Sequence, residues 1–65
     1  MINVVMYGMV YRTKHSQLEV LMPGTISFSK GNCITLAEQL EKKASFTNCY
    51  DRVRLTSFDI KERGV

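Results

Sequence analysis

The run Ile2-Asn3-Val4-Val5-Met6-Tyr7-Gly8-Met9-Val10-Tyr11 is apolar at both parities. Alternate residues of a strand point to opposite faces. Ile2, Val4, Met6 and Val10 therefore face one side, and Val5, Tyr7, Met9 and Tyr11 the other. A strand that is apolar on both faces needs two covers. A chain of 65 residues has little material with which to build them. The first strand thus predicts one face closed by the chain itself and a second left for an interaction.

Size narrows the alternatives. The sequence reads as one small domain over residues 1–65, with 61–65 as a frayed tail. Cys33 and Cys49 form no CxxC pair, and with His15 as the only histidine a closed zinc site has too few ligands. The two cysteines flank the predicted helix, whose roughly 10 residues hold its ends about 15 Å apart. A disulfide needs Cα atoms within about 7 Å, so two free thiols are expected. The apolar run lacks a basic flank and a cleavage site, and is about half the length that spans a bilayer as a helix. A soluble protein with no membrane segment and no cofactor is expected, placed in the cytoplasm. Nine Lys and Arg against six Asp and Glu give a net charge of +3, a mild excess.

Residues 2–12 read as the first strand, and Thr13-Lys14-His15-Ser16 as a hairpin loop. Gln17 to Met22 alternates until Leu21, and Pro23-Gly24 is a turn signal. The alternation of Leu18, Val20 and Met22 continues through it to Ile26 and Phe28. Either Pro23-Gly24 closes a second hairpin or it kinks one edge strand from Gln17 to Phe28, where proline is tolerated. The kinked strand matches the first in length and is the preferred reading. Folding about Lys14-His15 then sets Tyr11 opposite Leu18, Met9 opposite Val20, Tyr7 opposite Met22 and Asn3 opposite Ile26. One face becomes almost wholly apolar. The other carries Val10 with Glu19, Gly8 with Leu21, Met6 with Pro23 and Val4 with Thr25.

Ser29-Lys30-Gly31-Asn32 reads as a turn. Thr35-Leu36-Ala37-Glu38 fits a capping box, and Leu36, Ala37, Leu40 and Ala44 form a stripe at helical spacing. This predicts a helix from Thr35 to Ser45 or Asn48, packed on the Tyr7/Met9/Tyr11 face. From Tyr50 to Ile60 a third strand follows. Val53 and Leu55 take one parity and Phe58 and Ile60 the other, which predicts a bulge near Thr56-Ser57 or a strand ending before Phe58. The fold class is α+β: a three-stranded antiparallel sheet with one helix on one face, in the order β-β-α-β.

No catalytic constellation emerges. His15 sits in a polar loop with no orienting partner, and Glu19, Glu38, Glu41, Asp51, Asp59 and Glu62 are scattered over four segments. The chain is read as non-enzymatic. Nucleic-acid binding has a modest claim: Arg52 and Arg54 share a strand face, with Lys42-Lys43, Arg12 and Lys14 as further cations and Tyr7 and Tyr11 as stacking platforms. The plainer account puts the arginines on a solvated face and the tyrosines in the core. Protein binding is the stronger reading, with Ile2, Val4, Met6, Val10 and Leu21 as an apolar contact face and Arg52 and Arg54 steering a partner. The competing covers for that face are Phe58 and Ile60, or a second copy in a homodimer.

Asn3-Val4-Val5-Met6-Tyr7-Gly8, a polar loop and Leu18-Glu19-Val20-Leu21-Met22 together resemble the N-terminal hairpin of the Dmd antitoxins of T4-type phages. The resemblance covers about a third of the chain. It implies a phage protein that binds and blocks a bacterial RNase toxin without chemistry of its own. The expected partner is accordingly a host or defence protein, met by occlusion of its site.

Overall fold

The computed structural model describes residues 3–61. Its elements are β1 (Asn3–Thr13), β2 (Glu19–Leu21), a 3-10 turn at Pro23–Thr25, α1 (Lys30–Glu41), α2 (Ala44–Thr47) and β3 (Tyr50–Lys61). The sheet is antiparallel with β1 central, in the order β2-β1-β3. The α+β class is that expected and the order β-β-α-β roughly so, with the one expected helix ending at Glu41 and a separate short helix, α2, following it. A strand of 12 residues at about 3.4 Å per residue spans about 40 Å. The β1–β3 ribbon thus sets the long axis of a 43 × 23 × 17 Å molecule.

The first hairpin is slipped by two residues from the expected register. Tyr11 lies opposite Val20, and Val10 opposite Leu21. The loop is longer than the polar run suggests because Gln17 enters the left-handed region at φ 60°. There its N–H donates to the Thr13 carbonyl at 2.9 Å. An even slip preserves both faces, so Val20 still lies beside Tyr11 on the helix side.

Pro23-Gly24 is neither a hairpin turn nor a simple kink. β2 ends at Leu21, the 3-10 turn leaves the ladder, and the chain returns to pair Ser27 with Tyr7. Between the Tyr11–Val20 and Tyr7–Ser27 pairs, β1 advances four residues and its partner seven. The three extra residues invert parity, so Ser27 takes the helix side and Ile26 the opposite face. The expected pairing of Asn3 with Ile26 is therefore replaced.

Thr25 heals the gap in the ladder. Its hydroxyl accepts from the Met9 N–H at 2.9 Å and donates to the Met22 carbonyl at 2.7 Å. The residue is fully buried. A hydroxyl inserted into a strand pair thus replaces the direct bond that the turn removes.

α1 begins five residues before the expected Thr35 cap, because Ser29 is the N-cap and its Oγ accepts from the Asn32 N–H at 3.4 Å. Thr35 lies inside the helix and donates to the Gly31 carbonyl at 3.0 Å. The buried positions are Cys33 and Ala37, one turn apart, which pack on Met9 and Tyr11. Leu36 and Leu40 are half-buried and Ala44 is exposed. Phe46 of α2 completes the core, edge-on to Tyr11 and stacked on Tyr50, with 4.9 Å between centroids in both pairs. Cys33 and Cys49 are both free, the first buried and the second exposed.

β3 pairs with β1 along its whole length, and its bulge lies at Val53 rather than near Thr56-Ser57. Val10 pairs with Arg54 and Tyr11 with Arg52, leaving Val53 as the extra residue. Leu55 and Ser57 then lie on the helix side, opposite Met9 and Tyr7. Thr56, Phe58 and Ile60 lie on the other face, opposite Gly8, Met6 and Val4. Lys61, expected to begin a frayed tail, is instead the last residue of β3, and the rest of that tail, residues 62–65, lies outside the described residues.

Candidate interaction face

All the helical structure of the described chain lies on the Met9/Tyr11 side of the sheet. The opposite face is made by Val4, Met6, Gly8, Val10 and Arg12 of β1 and by Arg54, Thr56, Phe58 and Ile60 of β3. Leu21 and Ile26 join it across the gap made by Gly8. A Cβ at Gly8 would lie 2.5 Å from Leu21 Cδ1 and 3.6 Å from Ile26 Cγ1. Leu21 therefore occupies the space that a side chain at residue 8 would fill. Ile60 is 44% exposed and Leu21 39%, while Val4, Met6, Ile26 and Phe58 are half-buried.

One end of this face is closed by charge. Arg54 Nη1 donates to Glu19 Oε1 at 2.6 Å and Arg12 Nη2 to Glu19 Oε2 at 3.3 Å. Both Glu19 oxygens are used, and the hydrogen bonds from Arg54 and Arg12 hold its carboxyl below the usual range. Two guanidiniums on one carboxylate leave a local charge of +1. Val10 lies between Leu21 and Arg54 in the register and is only 6% exposed.

The structure divides the expected site residues. Val4, Met6 and Leu21 meet on one face, with Arg54 at its rim. Val10 shares the face but is buried, so it supports the surface rather than offering contact. Ile2 lies outside the described residues. Arg52 is on the opposite side, because the Val53 bulge breaks the parity that made the two arginines neighbours. Its Nε donates to Glu41 Oε2 at 2.7 Å, and the Tyr11 hydroxyl donates to the same oxygen at 2.6 Å. Burial, reinforced by the Glu41 carboxylate, pushes the Tyr11 hydroxyl up to about 12. Burial raises Glu41 as well, but the bonds from Tyr11 and Arg52 outweigh it and leave its pKa lowered. This triad fastens α1 to the sheet.

Ile26, Phe58 and Ile60 were not assigned to the contact surface by the sequence. Phe58 and Ile60 read as candidate covers, yet they lie in the sheet beside Met6 and Val4 and extend the face sideways. Their parity opposite Val53 and Leu55 was the available signal. Ile26 had no such signal, since its placement depends on the excursion at Pro23–Thr25.

The expected cationic stripe is divided as well. Arg12 and Arg54 share Glu19, Arg52 binds Glu41, and Lys14 Nζ lies 3.7 Å from Asp51 Oδ1. These cations occupy two faces and a loop, whereas phosphate tracking needs one continuous surface. Tyr7 and Tyr11 pack on the helix side, Tyr11 with no exposed surface. Among the described residues no group of three or more His, Cys, Asp or Glu could hold a metal ion. No buried side-chain nitrogen or oxygen there lacks a partner. No helix of the described residues is long and apolar enough to cross a membrane. The sequence matches no family model, and comparison with curated proteins and with solved structures gives no match.

Proposed function

We propose that the chain is a non-enzymatic protein-binding module that docks through its helix-free sheet face. The observation that carries this reading is the run of Val4, Met6, Leu21, Ile26, Phe58 and Ile60 on a face that none of the described helices covers. Contiguous apolar surface of this kind commonly marks a binding site. Leu21 and Met6 supply adaptable side chains, and the Arg12–Glu19–Arg54 cluster supplies a positive rim that favours an acidic partner edge. The action we assign to such a face is occlusion of the partner's site. The hairpin's likeness to the Dmd antitoxins fits the same role, an accessory protein of a phage or mobile element that blocks a host or defence protein in the bacterial cytoplasm. An RNase toxin is the partner that likeness suggests.

The test is capture from a bacterial lysate by the full chain, followed by reconstitution with the purified partner. Val4→Asp and Ile60→Asp, made singly, each place a carboxylate on the docking face. Each is expected to weaken the reconstituted complex by about a hundredfold or more, because the charge is buried unpaired. Circular dichroism should stay unchanged. Undiminished binding by both folded variants would rule out this face.

A further inference from the structure

The outer edge of β3 offers a second surface, formed by backbone rather than side chains. Tyr7 exchanges both backbone bonds with Ser27, its N–H donating at 2.8 Å and its carbonyl accepting at 2.9 Å. Backbone groups alternate in direction along a strand. Those of Gly8 therefore point toward β3, where Gly8 pairs with Thr56. It follows that Thr56, Phe58 and Ile60 bond inward to β1, and that Leu55, Ser57 and Asp59 present their N–H and carbonyl groups outward. β3 is the last strand of the sheet, and no other described segment pairs with that edge.

Edges are usually guarded by charge, by bulges or by shortness. The first half of β3 is guarded, carrying Asp51, Arg52, Arg54 and the Val53 bulge. From Leu55 to Ile60 the only charged residue is Asp59. This unguarded stretch is its own antiparallel complement. With a twofold axis at Ser57, Leu55 lies opposite Asp59 of a second copy and Thr56 opposite Phe58 of that copy. An aromatic beside a β-branched residue is among the favourable cross-strand pairs. Ile60 meets the aliphatic stem of Arg54. Axes at Leu55 or Asp59 are disfavoured, since the first sets Asp51 opposite Asp59 and the second sets Asp59 opposite itself.

We infer that two copies of the chain associate through β3, antiparallel about Ser57, into one continuous sheet. Such pairing is isologous, as twofold dimers require. It joins the two apolar faces edge to edge without covering either, and it uses the strand edge rather than the face assigned to a partner. It does not depend on that assignment. It also adds contacts to a chain whose buried apolar residues are only Met9, Val10, Tyr11, Cys33 and Ala37 among those described.

Sedimentation equilibrium of the full 7.4 kDa chain over a wide concentration range is expected to show a rise to twice that mass. Amide exchange on the unmodified protein tests the register. The Leu55, Ser57 and Asp59 amides should slow about tenfold or more from dilute to concentrated solution, while Thr56 and Phe58 stay slow throughout. Ser57→Pro removes an outward donor without breaking the β1 ladder, and is expected to give a folded monomer. A chain that stays monomeric at every concentration overturns the inference. So does a dimer whose Leu55, Ser57 and Asp59 amides remain unprotected, or one that persists in folded Ser57→Pro.

Discussion

Thr25→Val tests whether one hydroxyl sustains the interrupted edge of the sheet. Valine keeps the shape of threonine and removes both hydroxyl bonds. The Met22 carbonyl still accepts from the residue-25 N–H, at 3.1 Å. The Met9 N–H is left without its acceptor, in a residue only 2% exposed. An orphaned buried donor costs about 1–3 kcal/mol. The extra methyl recovers part of that through apolar burial, which places the net loss at about 1–2 kcal/mol. Domains of this size lose about 4–8 °C in Tm per kcal/mol, so a fall of roughly 4–16 °C is expected.

Urea and thermal unfolding followed by circular dichroism measure that loss, and an unchanged urea slope locates it in the folded state. Thr25→Ser is the control. It keeps the hydroxyl and deletes a buried methyl, at about 1 kcal/mol. The Met9 amide should exchange markedly faster in Thr25→Val and stay protected in Thr25→Ser. A Thr25→Val protein with wild-type stability and a protected Met9 amide would refute the hydroxyl-bridged ladder.

The remaining tests concern the fastenings of helix, cap and face. Folding raises the Tyr11 pKa to about 12 from an ordinary value of 10.0, so its contribution is complete below the unfolded value and is lost as pH rises between the two. An absorbance titration should show one tyrosine ionising only as the chain unfolds, and Tyr11→Phe should remove that alkaline step. Folding lowers the Glu41 pKa, so its contribution is present above the ordinary carboxyl value of 4.5 and fades as pH falls through the folded value. Glu41→Gln should therefore be less stable at neutral pH and show a shallower acid limb in pH-dependent unfolding. Ser29→Ala is expected to cost about 0.5–1 kcal/mol in urea, the lower part of the N-cap range, because the bond is exposed and 3.4 Å long. Gly8→Ala should displace Leu21, whose tip is free to rotate toward solvent, costing about 1 kcal/mol and shifting the Leu21 methyl resonances.

What the sequence made legible was periodicity, and what it hid was every place where the count of residues changes. β1 reads directly because its apolar run reaches from Val4 to Tyr11 with no extra residue in β1 itself. The division of its faces also reads correctly, with Tyr7, Met9 and Tyr11 on the helix side and Val4 and Met6 on the other. The hairpin register was hidden by Gln17, a left-handed residue with none of the preference that glycine or asparagine would advertise. Pro23-Gly24 did announce a turn. A three-residue excursion that rejoins the same edge depends on Thr25 reaching Met9, and that contact lies sixteen residues away in sequence. The helix start was missed because Thr35 and Glu38 imitate a capping box inside a helix already capped by Ser29. Cys33 reads as a thiol, yet it packs as a small apolar residue in the core with Met9, Tyr11 and Ala37.

The Val53 bulge shows how one extra residue reassigns charge. In an unbroken strand Arg52 and Arg54 would stand on one face, a doublet suited to phosphate. The bulge sends Arg52 to Glu41 on the helix side and Arg54 to Glu19 on the other, so Arg52 ties α1 to the sheet and Arg54 ties β3 to β2 across β1. Because two residues of β3 oppose one step of β1, deleting Val53 should regularise the ladder without moving either pair. Arg52 would still oppose Tyr11, and Arg54 would still oppose Val10. The deletion is expected to fold and to retain both ion pairs, which nuclear magnetic resonance of the arginine side chains would detect. The loss should be about 1–2 kcal/mol, from one half-buried valine and the local twist. Had the bulge instead carried a register slip, deletion would shift Tyr50–Arg52 by one residue and release Arg52 from Glu41. A freed Arg52 in a folded deletion variant would therefore show that this reading of the bulge is mistaken.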